Sequence, residues 1–150
     1  MRENKKKYGF VMSLREYQQT IPTLWWSTKE FIKLNPQYLA VNSSLIWITQ
    51  WSDGFQMASN SPPDMQTPDF GRSQYNLCHF WSNFEIGDLN FWRSEAYTKY
   101  FEFLDKEGGF FYERWGDAPV HSIAASLFLN RDEIHFFHDI GYKHVPSLKP

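Results

Sequence analysis

The chain has 150 residues, enough for one domain with a sizeable core, and its 21% of charged residues argues against wholesale disorder. A net charge of −2, without a long run of Lys and Arg, gives no support to nucleic-acid binding. Cys78 is the single cysteine, which excludes an internal disulfide. No stretch approaches the ~18 apolar residues of a membrane span, and the first residues lack a signal-peptide pattern. We therefore expect the chain as written to carry neither an export signal nor an anchor.

The first 39 residues are predicted to form two helices. Ser13–Glu16 fits a capping box, in which Ser accepts from a backbone N–H and Glu reaches back. Pro22 suits the first turn of a second helix, and Asn35-Pro36 would end it. The shared face of this second helix would consist of Leu24, Thr28, Phe31 and Ile32. A β-like run follows at Ser44–Ile48.

Residues 49–74 are rich in Ser, Pro, Asp and Gly and are predicted to form a long loop, of the kind that is usually functional or disordered. The loop is a poor domain boundary, because the part before it is too small to stand alone. We therefore expect residues 1–150 to form one domain.

The second half alternates between strand and helix patterns, which predicts an α/β sheet. Apolar spacing and the Gly108-Gly109 stop favour a helix before residue 107. The predicted elements are a strand at Tyr75–Trp81, a helix at Asn90–Lys106, a strand at Phe110–Tyr112, a helix at Ala118–Leu129, a strand at Ile134–Phe137 and a polar tail at Asp139–Pro150.

Asp117-Ala118-Pro119 is typical of a helix start, with Asp as the N-cap and Pro in the first turn. Beside Glu113 and Arg114, the Asp117 carboxylate is equally suited to hold or activate a hydroxyl group, so both interpretations stay open. His121 lies one turn further on, on roughly the same face, and we expect it to be hydrogen-bonded scaffolding.

Three histidines and an acid, His135, His138, Asp139 and His144, fall within ten residues and invite a metal-binding hypothesis. The spacing disfavours joint ligation, because a strand would project His135 and His138 from opposite faces. His144, in a predicted loop, is freer to reach a site.

Glu85 stands among aromatic residues in Asn83–Gly87, where loss of water would disfavour its charged form, as in many catalytic acids. The alternative is a surface glutamate in a turn. The sequence contains no glycine-rich phosphate loop, nucleophile elbow or zinc-type cysteine pair.

The stretch from Tyr75 to Phe128, with rare words such as "NLCHFWSNFEI" and "RWGDAP", resembles the fungal α-1,2-mannosyltransferases of glycosyltransferase family 15. "YGFVMSLREYQQTIPTLWWSTKEFI" near the start and "IHFFHDIGYKHVP" near the end are similar to the family as well. The resemblance leaves out roughly residues 40–74.

The resemblance implies the C-terminal part of a GT-A-type fold, an α/β mixed sheet with flanking helices. It implies a retaining transferase that moves mannose from GDP-mannose to a mannosyl glycan acceptor, with Mn²⁺ as the metal. Matched residue by residue, Glu85 corresponds to the carboxylate proposed as nucleophile or transition-state stabiliser. Asp117 corresponds to a second active-site carboxylate, and His144 to the histidine on the metal.

Relatives in this family are anchored in the Golgi membrane and carry a nucleotide-binding half with an acidic Glu-Pro-Asp metal motif. That motif does not occur in this sequence, nor does a cysteine expected near "SLKP". We therefore expect weak or no activity from these 150 residues alone, and marginal stability. The alternatives are a non-catalytic remnant that binds mannosides through exposed aromatic residues, or a metal-dependent hydrolase built on the histidine cluster.

Overall fold

A computed structural model describes the backbone of residue 1 and residues 3–50, 73–144 and 147–149, with side chains described as far as residue 143. The strands, β1 to β9 in chain order, are Tyr8–Phe10, Ser13–Arg15, Thr49–Gln50, Gln74–Tyr75, Cys78–Phe80, Glu85–Gly87, Ile134–Phe136, Tyr142–His144 and Ser147–Lys149. The helices, α1 to α6, are Leu24–Leu34, Leu45–Ile48, Leu89–Trp92, Glu95–Glu107, Gly109–Tyr112 and Asp117–Phe128.

A mixed sheet of three strands, in the order β6-β1-β7, organises the site end of the molecule. Strand β1 runs antiparallel to β6 and parallel to β7. Its register pairs Tyr8 with Gly87 and Phe10 with Glu85. Tyr8 and Glu85 are therefore diagonal neighbours on one face of the sheet, close enough for long side chains to meet.

Helix α6 lies at the centre of the fold. Its sequence is apolar on nearly every side, which is typical of a helix enclosed by protein. Ile123, Ala124, Ala125 and Leu127 are all fully buried. The helix contacts strand β5 and helices α2 and α4, so β5 and the surrounding helices pack around one element.

The predicted helix start at Ser13–Glu16 is wrong. Ser13–Arg15 is a strand, and its residues pair antiparallel with Cys78–Phe80 of β5. Partners far away in the sequence therefore override the local capping pattern. The Glu16 carboxylate accepts instead from the Tyr17 N–H at 2.8 Å, outside any helix.

Two short strand predictions are also wrong. Ser44–Ile48 contains a single helical turn, α2, which buries Leu45 and Ile48 on one side. Phe110–Tyr112 belongs to the short helix α5. In both places no strand of the described residues pairs with the apolar run, and periodicity cannot separate a strand from a short helix over so few residues.

The longer predictions are confirmed with shifted bounds. Helix α1 has the predicted buried face, although it begins at Leu24, after Pro22. The predicted Asn90–Lys106 helix is divided into α3 and α4, because the Ser94 hydroxyl accepts from the Tyr97 N–H and caps a new helix. Gly108 ends α4 in the left-handed conformation, at φ 80°.

Three further segments differ in detail from the prediction. Tyr75–Trp81 contains parts of two strands, separated at Leu77, whose φ is 67°. The predicted polar tail includes the β8–β9 hairpin. Thr49–Gln50 and Gln74–Tyr75, at the two ends of the predicted long loop, pair with each other, and residues 51–72 between them lie outside the described residues.

No helix within the described part of the chain is both long enough and apolar enough to cross a membrane. The longest, α4, has 13 residues.

Ser122 joins the central helix to strand β5. Its hydroxyl accepts from the Phe80 N–H at 2.6 Å and donates to the Ala118 carbonyl at 2.6 Å, in a fully buried position. We expect Ser122→Ala to lower the free energy of unfolding by about 1–3 kcal/mol, because a buried N–H loses its partner. Denaturant unfolding would measure the change.

Ser126, one turn further along the same helix, provides a matched control. It is fully buried, and its hydroxyl has no hydrogen-bond partner among the described residues. We expect Ser126→Ala to leave stability unchanged within about 0.5 kcal/mol or to raise it. Equal losses for the two variants would contradict the role given to the Ser122 hydroxyl.

Candidate active site

Glu85 opens strand β6, and its carboxylate is hydrogen-bonded at both oxygens. The Tyr8 hydroxyl donates to Oε2 at 2.7 Å, and Nδ1 of His121 lies 2.8 Å from Oε1. The Glu85 side chain is 20% exposed. The alternative of a surface glutamate in a turn is therefore wrong, since the side chain is held by residues of β1 and α6.

An aromatic wall holds the histidine against Glu85. The Trp92 indole lies 4.6 Å from the His121 ring, between ring centres, and Tyr97 packs edge-on against Trp92 at 4.7 Å. Trp92 can approach strand β6 only because residue 87 is glycine, since a side chain there would collide with the indole. Gly87 and Trp92 thus fix the position of the ring that contacts Glu85.

Asp117 is the first residue of α6, and the N-cap is Gly116, so the prediction of Asp117 as the N-cap is wrong. Its Oδ1 accepts from the adjacent Ala118 N–H at 2.9 Å, and the residue is exposed to solvent. The neighbouring Glu113 is engaged elsewhere, by the Thr23 hydroxyl and the Trp115 indole N–H, both at 2.6 Å.

The two candidate carboxylates act on the same phenol groups. Burial raises the pKa of Tyr97 to about 12, and the negative charges of Glu85 and Asp117 add to the rise. Burial, the Glu85 charge and hydrogen bond, and then the Asp117 charge also raise the pKa of Tyr8 far above its usual range. The structure therefore brings Glu85 and Asp117, which are distant in the sequence, into one electrostatic environment.

The predicted metal histidine is not part of this cluster as described. His144 ends strand β8, and its side chain lies outside the described residues, so its role stays a prediction. Among the residues whose side chains are described, no group of three or more His, Cys, Asp or Glu could hold a metal ion.

The prediction that His135 and His138 project from opposite faces of a strand is wrong. Their ring centres lie 6.2 Å apart, because β7 ends at Phe136 and the alternation stops before His138. Two neighbouring imidazoles without a third described ligand do not support the hydrolase alternative.

Comparison with known proteins supports the resemblance seen in the sequence. The sequence model of the family described as glycolipid 2-alpha-mannosyltransferase matches residues 1–149. The chain belongs to this family. It is 61% identical over 146 residues to glycolipid 2-alpha-mannosyltransferase 1 of Candida albicans, covering 97% of this chain and 30% of the relative. It is 55% identical to alpha-1,2 mannosyltransferase KTR1 of Saccharomyces cerevisiae, covering 97% of this chain and 32% of that one.

The fold is shared with solved members of the family. Core-mannan synthase A (CmsA/Ktr4) from Aspergillus fumigatus, in its Mn/GDP form, matches with a TM-score of 0.82 at 48% identity, over 99% of this chain and 37% of that chain. Ktr4p from S. cerevisiae in complex with GDP matches with a TM-score of 0.80 at 45% identity, over 98% and 34%. The predicted fold class, part of a GT-A-type α/β fold with a mixed sheet, is confirmed. The chain spans about a third of the length of the relatives it matches.

The sequence interpretation missed two members of the cluster, Tyr8 and Trp92, whereas its expectation that His121 is hydrogen-bonded scaffolding is confirmed. The spacing of Asp117 and His121 placed both on one helix face, which is a usable signal. No local sequence signal points to Tyr8, because its contact with Glu85 spans 77 residues of sequence.

The pKa of Tyr97 tests whether the charges of Glu85 and Asp117 both act on this phenol group. We expect Glu85→Gln and Asp117→Asn each to lower the pKa of Tyr97 from about 12 towards its ordinary value, because each removes a negative charge that disfavours the phenolate. Ionisation would then begin at lower pH, as followed by NMR of tyrosine labelled at the ring carbon bearing the hydroxyl.

Glu113→Gln is the matched control, because Glu113 does not contribute to the raised pKa of Tyr97. An unchanged Tyr97 titration after both carboxylate substitutions would contradict the shared environment.

Proposed function

We propose that this chain forms the acceptor-side part of the catalytic domain of a retaining α-1,2-mannosyltransferase, with Glu85 and Asp117 at its active site. The reaction would break the bond between the mannose anomeric carbon and the diphosphate of GDP-mannose. A new bond to a mannoside hydroxyl would form on the same face, GDP would leave, and the hydroxyl proton would pass to the departing diphosphate or to solvent. The observation that carries this proposal is the Glu85 carboxylate held at both oxygens within a family of mannosyltransferases.

The chemistry explains why a fixed carboxylate is useful. The departing anomeric carbon becomes oxocarbenium-like, and a preorganised negative charge stabilises it more strongly than mobile water can. Glu85 would supply that charge or capture the carbon covalently, and both routes retain the configuration. Asp117, which is exposed at the helix start, would accept a hydrogen bond from an acceptor hydroxyl.

The donor, the metal and the cellular site are further proposals. The Aspergillus relative was solved in a Mn/GDP form, which supports GDP-mannose as the donor and Mn²⁺ as the cofactor of the whole enzyme. Mn²⁺ would neutralise the leaving diphosphate, and His144 is the residue of this chain that we propose for it. By resemblance to the family we propose a membrane-anchored enzyme of the Golgi lumen, acting in protein or lipid glycosylation and cell-wall mannan synthesis.

A chimera tests the two carboxylates in a complete catalytic domain. This chain would replace the matching segment of the Aspergillus enzyme, to which it is 48% identical. We expect Glu85→Gln to reduce turnover of GDP-mannose roughly 100-fold or more, because the charge opposite the anomeric carbon is lost. We expect Asp117→Asn to raise the KM for the mannoside acceptor roughly 10-fold, because a hydrogen bond to a charged group is weakened.

Glu102→Gln provides the control, because Glu102 is exposed on α4 and pairs only loosely with Lys99, at 3.7 Å. This variant should retain the activity of the parent chimera. Unchanged turnover in the Glu85 variant would remove the basis of the proposed function.

A mannoside-binding role without catalysis is the second candidate, and the exposed aromatic side chains of α5 favour it. Phe111 is 78% exposed and Tyr112 is 91% exposed, as in surfaces that stack on sugars. Calorimetric titration of this chain with GDP-mannose and Mn²⁺, and separately with a mannoside, separates the two candidates. Binding of GDP-mannose would favour the transferase. If α5 binds sugars, we expect Tyr112→Ala to abolish mannoside binding.

A further inference from the structure

We propose that His121 is the positioning residue of the Glu85 carboxylate, to which it donates a hydrogen bond from Nδ1 as a fixed tautomer. The inference rests on the proposed function of Glu85. It adds a residue that the resemblance to the family does not assign. The motivating geometry is the 2.8 Å contact between Nδ1 and Oε1, made across 36 residues of sequence.

The direction of the hydrogen bond follows from the partners of Glu85. An ionised carboxylate only accepts, and its second oxygen already accepts from the Tyr8 hydroxyl at 2.7 Å. Nδ1 of His121 must then carry the proton, and the carboxylate plane is fixed from both sides. A carboxylate with one donor could rotate about its last torsion, whereas two donors on different elements restrict that rotation.

The imidazole is itself immobilised by packing. Trp92 lies against the ring at 4.6 Å, and Tyr97 approaches it edge-on at 6.1 Å. Trp92 contacts Tyr8 as well, edge-on at 5.9 Å. Tyr8 and His121, the two donors to Glu85, therefore pack against the same indole. Gly87 leaves the space that the indole occupies. The result is a rigid support on which the orientation of Glu85 depends.

The backbone that carries His121 is equally fixed. The residue lies on α6, between the buried residues Val120 and Ser122, and its own side chain is 23% exposed. Asp117 stands one turn earlier on the same helix, so one element sets the orientation of Glu85 and presents the second carboxylate.

The experiment compares three substitutions in the chimera defined above. His121→Phe keeps an aromatic ring against Trp92 and removes the donor. His121→Asn places an amide N–H near the position of Nδ1, whereas His121→Gln reaches the position of Nε2. We expect kcat to fall about 10–100-fold in the Phe variant, as is typical when a residue that orients a reactive group is lost. The KM for GDP-mannose should change less than about twofold.

The conservative variants separate positioning from mere packing. We expect His121→Asn to recover at least about fivefold in kcat over His121→Phe, and His121→Gln to recover less, because only Asn returns a donor to Oε1. Thermal unfolding of each variant shows whether the fold survives. A full kcat in a folded Phe variant overturns the proposal, and so does better recovery with Gln than with Asn.

Glu85→Gln, assayed alongside, distinguishes the two levels of inference. If the Glu85 variant loses turnover and the His121 variants do not, the proposed function stands and the role of His121 falls. If neither the Glu85 variant nor the His121 variants lose turnover, the proposed function is wrong, and the role of His121 that rests on it is wrong as well.

A second measurement does not depend on activity. In this chain labelled with ¹⁵N-histidine, His121→Asn identifies the signals of His121 by their disappearance. We expect Nδ1 of His121 to carry a proton, and that proton to move towards Nε2 after Glu85→Gln. An Nδ1 without a proton in the unsubstituted chain would overturn the proposal.

Discussion

Helix α6 is buried along nearly its whole length, and the geometry of the site depends on that burial. Its middle is fixed to β5 through Ser122, whose hydroxyl serves the backbone of Phe80 and of Ala118. A helix held in this way cannot slide or rotate without opening a cavity in a close-packed interior. The start of the helix, which carries Asp117 and, one turn later, His121, therefore meets the sheet at a fixed place.

The aromatic residues around Glu85 serve both packing and electrostatics. Trp92 and Tyr97 pack against the His121 ring that contacts the carboxylate, and in surroundings with little water each charge acts on its neighbours more strongly than it would in water. The raised pKa of Tyr97, caused first by burial and then by the charges of Glu85 and Asp117, is the visible effect. Some of the aromatic residues, which make up 19% of the chain, thus form the wall of the site.

Local patterns predicted the long helices and failed where partners are remote. The buried face of α1 and the extent of α6 follow from helical spacing, and both are confirmed. Ser13–Arg15 looked like a helix start and is a strand, because pairing with β5 decides its conformation. Local patterns made Glu85 and Asp117 candidates, and resemblance to a family gave them active-site roles. The hydrogen bonds of Glu85 to Tyr8 and His121 depend instead on how β1, β6 and α6 meet.

The two hydrogen-bond donors to Glu85 come from parts of the chain that meet only as the fold forms. Tyr8 comes from the first strand and His121 from the last long helix, and their contacts with Glu85 span 77 and 36 residues. Contacts between such distant residues form late, because the chain entropy of closing long loops opposes them. A nascent or partly unfolded chain would hold Glu85 without its donors. The Glu85 carboxylate would then be held by both donors only when the last long helix has docked.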